Sequence, residues 1–192
     1  MIAGAYFWAT AYNSGAAPVS ASVSFYARPE AMPAGNDHSL TEMLVKGSRH
    51  RTYEVGVMTD PAYYGDTGQH LFVSSWDASG FLGLNTNFKS TGATSPGALV
   101  RNHAYSTYGF TVGHGQVRIT LDGRAVGHYD APGFRTSSVS VYGEAYAEGK
   151  PLPQMRGSVR NYKTSTHSTL TTPAASRPYK ITGHGPSGFS FG

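Results

Sequence analysis

Residues 117–129 read VRITLDGRAVGHY, and their pattern of apolar and polar side chains indicates the fold class. Val117, Ile119 and Leu121 alternate with polar residues, which is the pattern of a strand with one buried face. The Asp-Gly pair at 122–123 tolerates the positive φ angles of a tight type I′ turn. The residues after the turn are therefore expected to return beside the first strand, so the stretch predicts an antiparallel β-hairpin.

The same alternation recurs along the chain, most clearly from Val19 to Phe25, where apolar residues alternate with three serines. Further strands are predicted at 2–12, 53–59, 70–76, 106–112, 139–147 and 157–162. Gly, Pro, Asn and Asp separate these runs at short intervals, as a sandwich or barrel requires. The prediction is a single all-β domain over residues 1–192, built as an antiparallel β-sandwich. One helical turn is expected at 37–46, with Asp37 or Ser39 as its cap and Glu42 closing a capping box.

Composition excludes several classes of protein. The chain has 192 residues with 14% charged and 39% hydrophobic side chains, which suits one cored domain rather than a coiled coil or a disordered chain. It has no cysteine, so it has neither disulfides nor thiolate metal sites. No apolar run is long enough for a membrane span. The G-x-G-x-x-G match at 183–188 contains a proline and lacks the strand and helix that dinucleotide binding needs. No cofactor, metal or membrane partner is expected.

The positive charges are concentrated near the end of the chain. Residues 149–192 contain six basic side chains and no acidic one, namely Lys150, Arg156, Arg160, Lys163, Arg177 and Lys180. Such a segment can bind an anionic partner. Because the charges are dispersed, a solvated surface is the simpler interpretation, and nucleic acid is not an expected partner.

The glutamates are the most informative polar residues. The chain has only five, and three of them have simple surface explanations: Glu30 in a loop, Glu42 in the helical turn and Glu148 at a strand end. Glu54 and Glu144 instead lie inside predicted strands, where glutamate is disfavoured unless it is exposed or functional. They are either two unrelated solvent-facing residues or a functional pair.

Two other polar residues have plain structural interpretations. His70 is expected to be a surface or partly buried histidine rather than a metal ligand. Asp66 is expected to be a turn residue whose carboxylate accepts hydrogen bonds from nearby backbone N–H groups.

Several motifs resemble those of the neprosin family. They are Glu54-Val-Gly56, the turn Tyr64-Gly65-Asp66, the pair Leu71-Phe72 with Trp76 beyond it, and a later Gly143-Glu144. The resemblance implies a concanavalin-like jelly roll and a glutamic endopeptidase that acts in acid and cleaves next to proline. It implies Glu54 and Glu144 as the catalytic pair.

Two facing carboxyl groups share a proton, so one can activate water while the other acts as an acid. Glu144 is assigned as the base and Glu54 as the acid. Tyr142, Tyr146 and Trp76 are the expected substrate-binding residues. The expected partners are proline-containing peptides or proteins, the expected state is a monomer, and the family resemblance implies secretion.

Two alternatives remain open. A catalytically silent jelly-roll module would bind a glycan or surface polymer through its tyrosines and would not need the glutamates. An anion-binding protein would act through residues 149–192, and its affinity would fall steeply with salt.

Overall fold

A computed structural model describes most of the central part of the chain. The described residues are 4–10, 18–27, 38–91, 94–101, 103–146, 157–165, 182–184 and 189–191. Side chains are described within 18–26, 38–91, 94–101, 103–143 and 160–165. For Glu144 and Tyr146, the structure therefore describes the backbone but not the side chain.

The strands form two sheets of seven, which are called sheet I and sheet II below. Sheet I has the order β13-β1-β11-β3-β4-β5-β6 and consists of β1 (Gly4–Thr10), β3 (His38–Gly47), β4 (Thr52–Thr59), β5 (His70–Asp77), β6 (Gly80–Leu84), β11 (Thr136–Tyr146) and β13 (Thr182–His184). Sheet II has the order β14-β12-β2-β8-β9-β10-β7 and consists of β2 (Ser20–Ala27), β7 (Phe88–Ser90), β8 (Ala104–Gly113), β9 (Gln116–Leu121), β10 (Arg124–Asp130), β12 (Gly157–Ser165) and β14 (Phe189–Phe191).

Among the described residues the strand pairs are antiparallel, except that β12 pairs with β14 in parallel. The predicted all-β sandwich is confirmed. The hairpin at 117–129 is also confirmed, because Asp122 and Gly123 have φ angles of 50° and 76° between β9 and β10.

The core lies between the two sheets and takes every second residue of the central strands. Val23 and Phe25 of β2, Val45 of β3 and Val55 of β4 are at most 1% exposed. The period-2 alternation of the sequence therefore directs one face of each sheet inward. The opposite faces carry the polar and aromatic side chains from which any site must be built.

The helical turn predicted at 37–46 is wrong, since residues 38–47 form β3. This strand is hydrogen-bonded on both sides, to β11 and to β4. Its Met43 and Val45 alternate into the core, and pairing with two neighbours outweighs the local capping pattern. A one-turn helix, α1 (Pro61–Tyr64), and a 3-10 turn, Ser48–His50, are the helical elements that the described residues contain. Neither is long or apolar enough to cross a membrane.

Candidate active site

A groove of about 920 Å³ crosses the outer face of sheet I. Its floor and walls come from the outward-facing side chains of β3, β4, β5, β6 and β11, together with nearby loop residues. Both carboxyl and aromatic side chains open into it. The groove is therefore the natural place to look for chemistry.

Glu54 lies on the floor of this groove and is 7% exposed. Its neighbours Tyr53 and Val55 point into the core, so the strand alternation turns Glu54 outward. Ser74 stands directly opposite it on β5, is buried, and donates its hydroxyl hydrogen to Oε2 of Glu54. A hydroxyl donor stabilises the ionised form of a carboxylate.

Glu42 is the second buried carboxyl in the groove, at 4% exposure. In the register of β3 with β4, Leu44 faces Glu54 and Glu42 faces Gly56, so Glu42 and Glu54 are diagonal neighbours on one face. Residues in this relation lie about 7–8 Å apart. The interpretation of Glu42 as a surface residue of a helical turn is wrong, because the residue is buried on a central strand.

Gly56 creates the room that Glu42 occupies. A Cβ atom at position 56 would overlap the carbonyl oxygen of Thr41 and would lie 2.9 Å from Cβ of Glu42. The Glu-Val-Gly motif therefore has a steric reason in this fold. Glu54 supplies one carboxyl, and the glycine two residues later leaves room for the other.

Glu144 lies farther from Glu54 in the strand register. It pairs with Leu40, whereas Ser140 is the β11 residue level with Leu44 and Glu54. Two strand spacings and four residues separate the backbones of the two glutamates, which amounts to roughly 16 Å. The side chain of Glu144 lies outside the described residues, so the pairing of Glu54 with Glu144 stays a prediction.

Of the predicted substrate-binding residues, Tyr142 and Trp76 line the same groove as Glu54. Tyr142 is half-buried and faces Glu42 across β11 and β3. Trp76 is 40% exposed and its ring centroid lies 4.9 Å from that of Phe81, which is 50% exposed. A register shift between Ser75 and Trp76 re-aims the strand at this point. Tyr146 ends β11, and its side chain lies outside the described residues.

His70 and Asp66 form a small structural cluster where β5 begins. His70 is buried, with Nε2 2.8 Å from Oδ1 of Asp66 and Nδ1 2.8 Å from the carbonyl oxygen of Gly97. Its ring stacks on Tyr64 at 3.9 Å. Asp66 also accepts a 2.7 Å hydrogen bond from the backbone N–H of Gly68, which confirms its predicted turn role. The hydrogen bond from His70 is the main cause that lowers the pKa of Asp66.

The described residues contain no group of three or more His, Asp or Glu side chains able to hold a metal ion. The groove can supply two carboxyl groups, the Ser74 hydroxyl, the phenol of Tyr142 and an aromatic rim. This set suits proton transfer to and from a bound substrate.

Sequence reasoning missed Glu42, Ser74 and Phe81. Glu42 had a usable signal, because Leu40, Glu42 and Leu44 alternate with Thr41, Met43 and Val45. Ser74 had a weaker one, since it shares a strand face with Trp76. Phe81 also had a local signal, because the β5–β6 hairpin that brings it to the groove closes at Asp77–Gly80, where Asp77 accepts a hydrogen bond from the backbone N–H of Ser79.

Comparison with known proteins finds solved structures of similar fold. A tetrameric galectin from the sponge Cinachyrella sp. is similar over 83% of this chain and 99% of its own, with 9% identity and a TM-score of 0.50. Scytalido-glutamic peptidase is similar over 84% of this chain and 74% of its own, with 11% identity and a TM-score of 0.47. The β-porphyranase BpGH16B from Bacteroides plebeius is similar over 79% of this chain and 68% of its own chain, with 12% identity and a TM-score of 0.38.

At such identities the likeness shows a jelly-roll sandwich and nothing about activity. No protein-family model and no curated protein matches the sequence. The likeness to neprosins is therefore one of individual residues, and it does not assign the chain to that family.

Proposed function

We propose that this protein is an acid-active peptidase in which Glu54 and Glu42 share the catalytic work. The observation that carries the proposal is the burial of two carboxyl groups on adjacent strands, side by side in an open groove. Two buried carboxyl groups in one groove are not both ionised readily, because burial and like charge each disfavour a second negative charge, so we infer that one of the two holds a proton. Such a pair works best where one member is protonated, at about pH 3–5 from ordinary carboxyl values.

The roles of the two residues follow from their surroundings. Ser74 donates to Glu54 and so favours its ionised form. The Glu54 carboxylate takes a proton from a water molecule, and the oxygen of that water attacks the peptide carbonyl carbon. Protonated Glu42 donates its proton as the C–N bond breaks and the amine leaves. Transfer of the proton from Glu54 to the Glu42 carboxylate, by way of solvent in the open groove, returns the pair to its starting state, and one water is consumed for each bond cleaved.

This assignment makes Glu54 the base, which reverses the roles expected from the sequence, and it puts Glu42 in the place of Glu144. Tyr142 and the Trp76–Phe81 pair would hold the substrate on either side of the glutamates. Cleavage next to proline and secretion rest on the residue-level resemblance to neprosins and are part of the proposal on that basis.

The test is digestion of a denatured, proline-containing protein at pH values from about 3 to 8, with the fragments identified by mass spectrometry. Glu54→Gln and Glu42→Gln are each expected to lose about 10²–10⁴-fold in rate. Glu144→Gln is the comparison variant from the same sheet and should keep near wild-type activity. Loss of activity in Glu144→Gln, with Glu42→Gln active, would restore the pairing of Glu54 with Glu144.

A second candidate function is glycan binding without catalysis. The observation that favours it is the exposed aromatic pair Trp76 and Phe81 at the rim of the groove, a surface on which a sugar ring can pack. A binding module would retain its ligand after Glu54→Gln and lose it after Trp76→Ala. A folded wild-type protein that cleaves nothing at any pH would favour this second function.

A further inference from the structure

We propose that the outer face of sheet II binds an acidic polysaccharide, a sugar chain that carries carboxylate or sulfate groups. This inference goes beyond the proposed peptidase activity and does not depend on it. Its first support is the distribution of charge between the two sheets. Among the described side chains, five acidic ones belong to sheet I and its loops, namely Glu42, Glu54, Asp60, Asp66 and Asp77.

Sheet II contributes only Asp122 and Asp130 to the described acidic side chains, and cations neutralise both. A guanidinium nitrogen of Arg101 lies 3.2 Å from Oδ2 of Asp122. Lys89 pairs with Asp130, and Nε2 of His128 lies 3.5 Å from the same carboxylate. No negative charge on the described part of this face is therefore left to repel an anionic ligand.

Three exposed cations remain on the part of the face whose side chains the structure describes: Arg118 on β9, and Arg160 and Lys163 on β12. Arg118 is level with Thr111 and Ser20 across β8 and β2, while Lys163 is level with Ser22. The cations therefore stand on both sides of the two central strands. An extended anionic chain that crossed the face would meet positive charge on each side.

Hydroxyl groups fill the space between these cations. Ser20 and Ser22 of β2, Thr111 of β8 and Thr120 of β9 are all at least partly exposed. Gly109 lies between Ser22 and Thr120 in the register, and Oγ1 of Thr120 lies over it, 2.7 Å from where a Cβ atom would stand. Hydroxyl groups exchange hydrogen bonds with sugar hydroxyls, and arginine binds carboxylate or sulfate through two parallel N–H groups.

The aromatic residues of the face favour a polysaccharide over a nucleic acid. Tyr26 and Tyr105 pack edge to face with their centroids 5.2 Å apart. The guanidinium of Arg160 covers the Tyr105 ring at 3.4 Å from its centroid. The Tyr105 ring is thus already stacked, whereas binding of single-stranded nucleic acid relies on open aromatic faces for its bases. The covered ring, the hydroxyl row and the flanking cations together fit an acidic sugar chain.

The test measures binding of heparin and of polygalacturonate, with neutral dextran as the uncharged probe. Wild type should bind both acidic polymers and not dextran. Three ionic contacts predict a fall in affinity of about tenfold or more between 50 and 200 mM salt. Arg118→Glu/Lys163→Glu should lose at least tenfold in affinity.

The matched control is Arg49→Glu/Arg135→Glu, which makes the same change in net charge with two exposed residues outside this face. It should bind within about twofold of wild type, since long-range effects of distant surface charge are screened by salt. Equal losses in the two double variants would overturn the proposal, because net charge alone would then explain the binding. Tighter binding of an oligothymidylate than of either polysaccharide would also overturn it.

Cleavage of a soluble peptide by Arg118→Glu/Lys163→Glu separates this inference from the proposed function. The groove lies on the other sheet, so that activity should be unchanged. A protein that binds the polymers but cleaves nothing would support the surface and reject the peptidase. A protein that cleaves peptides but binds no polymer would support the peptidase and reject the polysaccharide-binding surface.

Discussion

Replacing Gly56 with alanine tests the reason for the Glu-Val-Gly motif. The added Cβ would overlap the Thr41 carbonyl oxygen, and would lie 2.7 Å from Cα and 2.9 Å from Cβ of Glu42. These contacts are mostly with the backbone of β3, which cannot rotate away as a flexible side chain can. The strands β3 and β4 must therefore move apart where they hold the two carboxyl groups.

Overpacking of this kind costs about 1–3 kcal/mol, and contact with backbone favours the upper part of that range. A loss of about 2–3 kcal/mol in the free energy of unfolding corresponds to a fall of about 4–12 °C in Tm for a chain of this length. Glu42 should also shift by about 1 Å relative to Glu54. A misplacement of that size in a catalytic group costs on the order of 10²-fold in rate.

Gly127→Ala is the matched control for crowding. Its Cβ would overlap the carbonyl oxygen of Lys89 and lie 2.6 Å from Phe88 on sheet II, far from the groove. Both variants should lose similar stability in urea denaturation, but only Gly56→Ala should lose peptidase activity at a temperature where both are folded. Gly113→Ala, whose Cβ would meet nothing within 4 Å, should change stability by less than about 0.5 kcal/mol.

Two results would refute this reasoning. Stability of Gly56→Ala within about 0.5 kcal/mol of wild type would mean that the strands absorb the methyl group without strain. Equal loss of activity in Gly56→Ala and Gly127→Ala would mean that general destabilisation, rather than displacement of Glu42, controls the rate.

Three further predictions concern single side chains. Ser74→Ala removes the hydroxyl donor to Glu54, so the acid limb of the pH–rate profile should shift to higher pH by about one unit or more. Ser74→Thr keeps a hydroxyl group and should restore the wild-type profile. An acid limb at the same pH in Ser74→Ala would contradict the role of Ser74. Asp66 has a lowered pKa when folded, so it stabilises the protein above its ordinary pKa and this contribution is lost as the pH falls through its folded pKa. Asp66→Asn should therefore be less stable than wild type in urea at pH 6 and equal to it near pH 2; a constant difference would contradict the linkage. Trp76→Ala should raise KM more than it lowers kcat and leave Tm nearly unchanged, because the ring is 40% exposed. A larger effect on kcat than on KM would contradict its role in substrate binding.

Much of the fold could be predicted because the sequence alternates with the period of a strand. The hairpin at 117–129 needed only this alternation and an Asp-Gly turn, both of which act over a few residues. The strand at 53–59 and its outward-facing Glu54 were predictable for the same reason. Asp66 was predictable as a turn residue because its backbone partner, Gly68, is two residues away.

Residues 38–47 show where local patterns are not sufficient. A capping pattern ending at Glu42 favours a helical turn over a few residues, but β3 gains hydrogen bonds from β11 on one side and β4 on the other. β4 follows β3 after a short connection, but β11 begins only at Thr136, so no local window around Glu42 contains both partners.

Local sequence patterns are enough to predict an all-β sandwich and a Glu54 that faces out of its core, because alternation and turn chemistry act between neighbouring residues. The identity of the carboxyl beside Glu54, and the hydrogen bond that Ser74 donates to Glu54, depend on how the strands pair. The same is true of the positive charge on sheet II, whose described acidic residues are paired with cations. These relations depend on strand order and register, which join residues that are distant in the chain and which a period-2 pattern leaves open.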